Sequence, residues 1–400
     1  GWGQDMMKTL RCGRALYAYA LKTAVALGLC LSTSSAMAQG ITNDMTELLE
    51  QENLTGAVWM RLEGGHVTTA AAGYANMPDH IPMTVNARMH VGSVTKSLLA
   101  TGVLRLATEG RIDLDAPIAQ YMPALRITNP WAPQSRITVR HLLDHTSGID
   151  DARLWQLFSR TVTPDTPLLH AFERSPGVLV ARARPGTRLS YSNSGYALLG
   201  LLIETVTGER YEQYLDKNLL QPLGMASSTF AFTTQTGPSK DSALAWGHTD
   251  DGTPVAAYPV MLRPAGQFTT TAADMAVFAK FLLSNGQVNG KAFISPDYMA
   301  ARGVPHTTEA RWNGLMMGYG LGMSSYDRFG ALGKCHSGNV TGFASLLCVY
   351  PDEGKAFFIS VNTDSETADY TRLYDRLAKS LNLAAPLAPP SELPTADAND

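Results

Sequence analysis

The sequence predicts an α+β fold: an antiparallel sheet flanked by helices, with a mostly helical insertion. Three observations predict it. Segments with strand character cluster near the two ends of the chain, and the long middle reads as helices. With 400 residues, 45% hydrophobic and 17% charged, the chain is long and apolar enough to bury a large core, which excludes a disordered or fibrous protein.

The first segment reads as an address rather than as structure. Lys8, Arg11, Arg14 and Lys22 precede an apolar run from Ala24 to Leu31, and small residues follow up to Ala36-Met37-Ala38. That is the order of a secretory signal, so residues 1–38 are expected to be a signal peptide with an N-terminal extension, cleaved after Ala38. The apolar run is far shorter than the ~20 residues that span a bilayer. Leu29, a large residue, stands before Cys30, which disfavours lipid attachment there. The protein is therefore expected in the periplasm or outside the cell, with no membrane span in the mature chain.

Met45, Leu48 and Leu49 recur at helical spacing over Thr42 to Asn53. Strands Ala57–Leu62 and His66–Ala72 then flank Glu63-Gly64-Gly65 as a hairpin. Helices are expected over Ser93–Glu109, Thr138–Asp144, Tyr196–Thr205, Tyr211–Leu220 and Thr271–Leu283. Strand patterns return at Gly318–Met323, Ala331–His336, Phe343–Tyr350 and Lys355–Val361. Residues 39–120 and 265–383 are thus expected to form one discontinuous sheet-and-helix domain, and 121–264 a mostly helical one. The tail, 384–400, is rich in proline, alanine and aspartate and is expected to be disordered.

A net charge of −3 without a basic block excludes nucleic acid as an expected partner. Loss of the signal would leave two cysteines, Cys335 and Cys348, on either side of an apparent turn at Gly338–Gly342. A cross-strand disulfide and two separately buried thiols are both compatible with that spacing.

Ser93-Val94-Thr95-Lys96 puts a hydroxyl at a helix start and an amine one turn later on the same face. The helix start favours negative charge on the serine oxygen, and burial would lower the lysine pKa and free its amine as a base. Alone this is weak: ordinary residue frequencies give on the order of one Ser-x-x-Lys in a chain of this length. Two later segments strengthen it, Tyr191-Ser192-Asn193 and then His336-Ser337-Gly338 at a strand end. A competing Tyr74-Ala75-Asn76 precedes the serine and is disfavoured by that order.

In these three motifs the chain resembles the serine β-lactamase and penicillin-binding protein superfamily, in the branch of class C β-lactamases, D-specific peptidases and family VIII esterases. The resemblance spans nearly the whole mature chain and includes Arg140 to Gly148, Tyr196 to Gly200, Pro222 to Met225 and Thr271 to Met275. It implies that Ser93 is the acylated nucleophile, and that Lys96 and Tyr191 move protons, with either as the acylation base. Asn193, His336, Ser337 and Gly338 would contact substrate, and the N–H groups of Ser93 and Asn339 would form the oxyanion hole.

The chain departs from the β-lactamase pattern in carrying His336-Ser337-Gly338 where those enzymes usually have lysine-threonine-glycine. A group mostly neutral at pH 7 replaces a fixed cation, which weakens recognition of a β-lactam carboxylate unless Lys334 points the same way. No residue matches the deacylating glutamate of class A enzymes. His141 and His145 have metal-ligand spacing, but no third ligand is recognisable nearby, so they are read as structural and no metal or cofactor is expected. Trp131, Trp155, Phe158, Trp246 and Tyr258 are read as packing rather than as a substrate wall.

The expected function is a secreted serine hydrolase that forms an acyl-enzyme at Ser93. Small peptides are the favoured substrates, including D-residue-containing or non-ribosomal ones such as linearised cyclic peptides. Ester or β-lactam hydrolysis by the same chemistry is the alternative, and a non-catalytic acylated sensor is the alternative of another class.

Overall fold

A computed structural model of the chain describes residues 34–149, 151, 161–174, 177, 179–306, 308, 318–327 and 329–384. Most of the expected signal, the proline-rich tail, Trp155 and Phe158 lie outside them. Residues 34–51 are helical (α1), and the expected cleavage site after Ala38 falls within them.

Strands β1 (Gly56–Glu63), β2 (His66–Asn76) and β3 (Ile81–Pro82) come from the N-terminal part. Strands β4 (Tyr319–Gly320), β5 (Met323–Tyr326), β6 (Gly333–Val340), β7 (Phe343–Tyr350) and β8 (Lys355–Val361) come from the C-terminal part. They join in one antiparallel sheet ordered β4-β5-β6-β7-β8-β1-β2-β3, the two groups meeting where β8 pairs with β1.

The central strands are buried on both faces, so their alternate residues feed two cores. Val58, Met60 and Leu62 of β1 and Phe358 of β8 join the core built with helices α2 (Thr95–Thr108) and, later in the chain, α5 (Ala272–Leu283). Trp59, Phe357 and Ile359 face the other way, against Ile41, Met45 and Leu49 of α1 and Leu373 and Leu377 of helix α6 (Thr371–Ser380). Between the two strand groups the chain also forms α3 (Val139–Leu143) and α4 (Asn193–Thr207).

Two strand expectations are corrected. The single strand expected over Gly318–Met323 is a hairpin, because Leu321 and Gly322 both take positive φ, 45° and 83°, as a two-residue turn of this kind requires. Asp144 stabilises the reversal by accepting the Leu321 N–H at 2.7 Å. The turn expected at Gly338–Gly342 begins later: β6 runs on to Val340, leaving Thr341-Gly342 as the reversal, so Ser337, Gly338 and Asn339 lie within the strand.

Cys335 and Cys348 stand directly opposite each other on β6 and β7 and are joined by a disulfide, with Cα atoms 4.2 Å apart. So close a separation marks a pair without mutual backbone hydrogen bonds. By alternation Ser337 and Asn339 belong to the same class, so their N–H and C=O groups point away from β7. On that side β5 begins at Met323, and among the described residues no strand pairs with the edge of β6 beyond Cys335.

Candidate active site

Ser93 lies in a 3-10 turn (Gly92–Val94) leading into α2, one turn from Lys96. Lys96 has no solvent exposure, and its Nζ donates to Ser93 Oγ at 2.8 Å and to the Ala265 carbonyl at 2.9 Å. Burial brings its pKa down to about 7, with the charge of Asp151 opposing. A substantial fraction is therefore the neutral amine near neutral pH, which a general base requires.

The Ala265 carbonyl belongs to a turn, Arg263–Ala265, held by a buried ion pair between Arg263 Nε and Glu212 Oε1 at 2.5 Å. Helix α4 makes room for that turn at Gly200, where a Cβ would stand 2.5 Å from Pro264.

Tyr191 reaches the nucleophile from the other side. It keeps 40% of its surface exposed, lines the same cleft as Ser93, and its ring centroid lies 4.8 Å from Lys96 Nζ. Burial raises its pKa, and the nearby Ser93 hydroxyl partly opposes this. Ser93, Tyr191, His336, Ser337, Gly338 and Asn339 line one cleft of about 500 Å³ with Leu189, Tyr319 and Tyr326. Tyr74, by contrast, lies on β2 and lines a different cavity with Asn53 and Asp250. Asn193 opens α4, half-buried, with its N–H donated to Asp151 at 2.9 Å; it is not among the residues lining this cleft.

Glycine is required where β6 meets the serine turn. A Cβ on Gly338 would stand 2.7 Å from the Ser93 nitrogen and closer still to the Val91 carbonyl. Gly92, at φ 52°, faces the Asn339 backbone, whose carbonyl carbon would lie 2.6 Å from an added Cβ. Two glycines thus bring the backbone of Asn339 against the turn that carries Ser93.

His336 is only 5% exposed, and both ring nitrogens are engaged. Nδ1 lies 2.7 Å from the Ser337 carbonyl, which can only accept, so Nδ1 carries the proton; Nε2 then accepts from the Tyr319 hydroxyl at 2.7 Å. Burial and the nearby Lys96 bring its pKa down to about 3, so the ring is neutral. Lys334 does not supply the missing charge. Its Nζ turns to the carbonyls of Met299 and Ala300, and it lines a separate cavity with Arg302. None of the described residues lining the Ser93 cleft is lysine or arginine.

Comparison with known proteins agrees with this architecture. A family model described as Beta-lactamase matches residues 41–381. The chain belongs to the beta-lactamase family. Among curated members it is 26% identical to "Penicillin-binding protein 4" of Amycolatopsis lactamdurans, over 86% of this chain and 91% of that one. It is 25% identical to "Protein flp" of Staphylococcus aureus, where it spans only 61% of the longer protein. Among solved structures it superposes on the octameric penicillin-binding protein homologue from Pyrococcus abyssi with a TM-score of 0.72, at 25% identity, over 86% of this chain and 77% of that one. The family and its structural neighbours include serine hydrolases.

The two histidines read as structural occupy different places. His141 closes a reciprocal cap on α3, accepting the Thr138 N–H at 3.1 Å while donating its own N–H to the Thr138 hydroxyl. His145 lies inside the site, its ring 4.2 Å from that of Tyr191. Sequence reasoning also missed Tyr319, Asp144 and Arg302. Tyr319 carries no motif, and Arg302 is a buried cation held by the Thr101 hydroxyl and the Ser97 and Leu321 carbonyls. The segment Asp144-His145-Thr146-Ser147-Gly148 was visible as part of the family resemblance, though without a role.

Proposed function

We propose that this protein is an exported serine hydrolase that forms an acyl-enzyme at Ser93 and cleaves amide bonds in small extended peptides, D-residue-containing or non-ribosomal ones included. The observation that carries this is the solvent-free Lys96 amine 2.8 Å from Ser93 Oγ. Ser93 Oγ attacks the substrate carbonyl carbon while its proton passes to the Lys96–Tyr191 pair, and the Ser93 and Asn339 N–H groups receive the developing oxyanion. Collapse of the tetrahedral intermediate expels the amine, which takes a proton from the same pair. A water molecule deprotonated by that pair then attacks the ester and releases the acid, restoring Ser93.

The preference for peptides rests on two features of β6. Its open edge at Ser337 and Asn339 offers N–H and C=O groups to a chain lying as an added strand. His336 has no free N–H for a substrate carboxylate, and the lysine nearby turns elsewhere. A charge-assisted hydrogen bond is roughly twice as strong as a neutral one, so substrates recognised mainly through a carboxylate, as β-lactams are, gain little here.

The test is a comparison of specificity constants for C-terminally amidated and free-acid forms of linear D-residue-containing peptides, a chromogenic cephalosporin and p-nitrophenyl acetate. Peptide cleavage with the amidated form at least equal to the free acid is expected. Efficient cephalosporin turnover without peptide cleavage would overturn the amide assignment, and a single burst of product without turnover would point to a sensor.

A further inference from the structure

We propose that His145 is the positioning residue for Tyr191, holding its phenol on Ser93 by bracketing the backbone on both sides of the tyrosine. This rests on the acyl-enzyme reading above and adds to it a residue that does not itself touch Ser93. The His145 carbonyl accepts the Ser190 N–H at 2.7 Å, and its ring Nδ1 accepts the Ser192 N–H at 3.0 Å. One residue thereby fixes both neighbours of Tyr191, and its ring packs against the Tyr191 ring with centroids 4.2 Å apart. Rings of Tyr196 and Tyr319, at 4.9 and 4.5 Å, wall the imidazole on its other sides.

Three properties suit histidine to the place. Because Nδ1 accepts from a backbone N–H, the ring proton sits on Nε2, which is buried and finds no hydrogen-bond partner among the described residues. Burial and Lys96 hold the ring neutral, so it adds no second cation beside the lysine. The backbone of His145 takes φ 57°, a left-handed conformation that β-branched residues adopt poorly and asparagine tolerates. A plain packing residue would need neither the acceptor nor the strained backbone.

The test is a set of variants read by p-nitrophenyl acetate turnover and by the rate of fluorophosphonate labelling of Ser93. His145→Leu keeps bulk but removes the acceptor, and is expected to lower kcat and the labelling rate by about 10- to 100-fold with KM little changed, the scale of an ångström-level misplacement. His145→Asn, which can return an acceptor near the Nδ1 position, is expected to recover most of that loss. In a Tyr191→Phe background His145→Leu is expected to add less than about 3-fold, since residues acting through one group are not additive.

Wild-type rates in a folded His145→Leu protein, or the same further loss in the Tyr191→Phe background, would overturn the proposal. If the leucine variant does not fold, His145→Asn and His145→Gln decide: glutamine puts its amide near Nε2 instead, so equal rates for the two would overturn it. Full activity in Tyr191→Phe alone would instead refute the proton-transfer role of Tyr191, a separate failure.

Discussion

The Ala265 carbonyl accepts a hydrogen bond from Lys96 Nζ at 2.9 Å, so the amine that touches Ser93 is aimed by an element far away in sequence. With one N–H committed to that carbonyl, the nitrogen lone pair of the neutral amine can face the serine hydroxyl.

The pH profile should report this lysine. Burial brings Lys96 down to about 7, so its proton is lost as pH rises through that value and kcat/KM should climb between pH 6 and 8. Asp144, pushed up to about 7 by burial, is a competing source of the inflection. Asp144→Asn should therefore keep the profile. A flat profile in the wild-type protein, or loss of the inflection in Asp144→Asn, would remove Lys96 from the base role. The sign for stability is the same: from about pH 7 up to the ordinary lysine value of 10.5 the unfolded chain holds a proton that the folded chain lacks, so this group's contribution to stability rises with pH.

Tyr191→Phe should lower turnover by about 10²-fold or more, the usual scale of positioned proton transfer. Tyr74→Phe should leave it near normal, since Tyr74 lines another cavity. Steady-state kinetics on both variants checks this, and the reverse ranking would mean that Tyr74, not Tyr191, serves the nucleophile.

Gly338→Ala tests the contact between β6 and the serine turn. Its Cβ would collide with the backbone at Val91, Ser93 and Val94, where no flexible side chain can give way. Loss of acylation by about 10²-fold or more is expected from displacement of the nucleophile, measured as phosphonate labelling of Ser93 in protein that still unfolds cooperatively. Labelling at the wild-type rate would show that the two segments can part enough to admit a methyl group without moving Ser93.

The Cys335–Cys348 bridge closes a short loop, with a sequence separation of 13, on a strand pair that already holds many hydrogen bonds. The double variant Cys335→Ser/Cys348→Ser should lose about 3 kcal/mol of stability in denaturant titration. Activity should persist, because the alternating residues His336, Gly338 and Val340 still pair β6 with β7 on either side of Ser337 and Asn339. An unchanged midpoint would mean that the bridge adds nothing to the fold.

Much of this was legible in the chain itself. Short, nearly continuous apolar runs such as Gly56–Glu63 and Phe343–Tyr350, bounded by turn residues, mark buried strands, and Ser93 and Lys96 share a face because one helical turn separates them. Thr138 marks a helix start by local chemistry, accepting the His141 N–H three residues on, whereas the helix expected from Tyr196 begins at Asn193, capped by Ser192. The expected strand over Gly318–Met323 failed because a two-residue reversal at Leu321-Gly322 depends on Asp144, distant in sequence, to take the Leu321 N–H. Only the tertiary structure decided that His336 is walled in and neutral, that Lys334 turns to the Met299 and Ala300 carbonyls, and that His145 sits beneath Tyr191. A side chain's protonation and direction follow from the groups that surround it, and those arrive from segments whose meeting is set by packing rather than by local sequence.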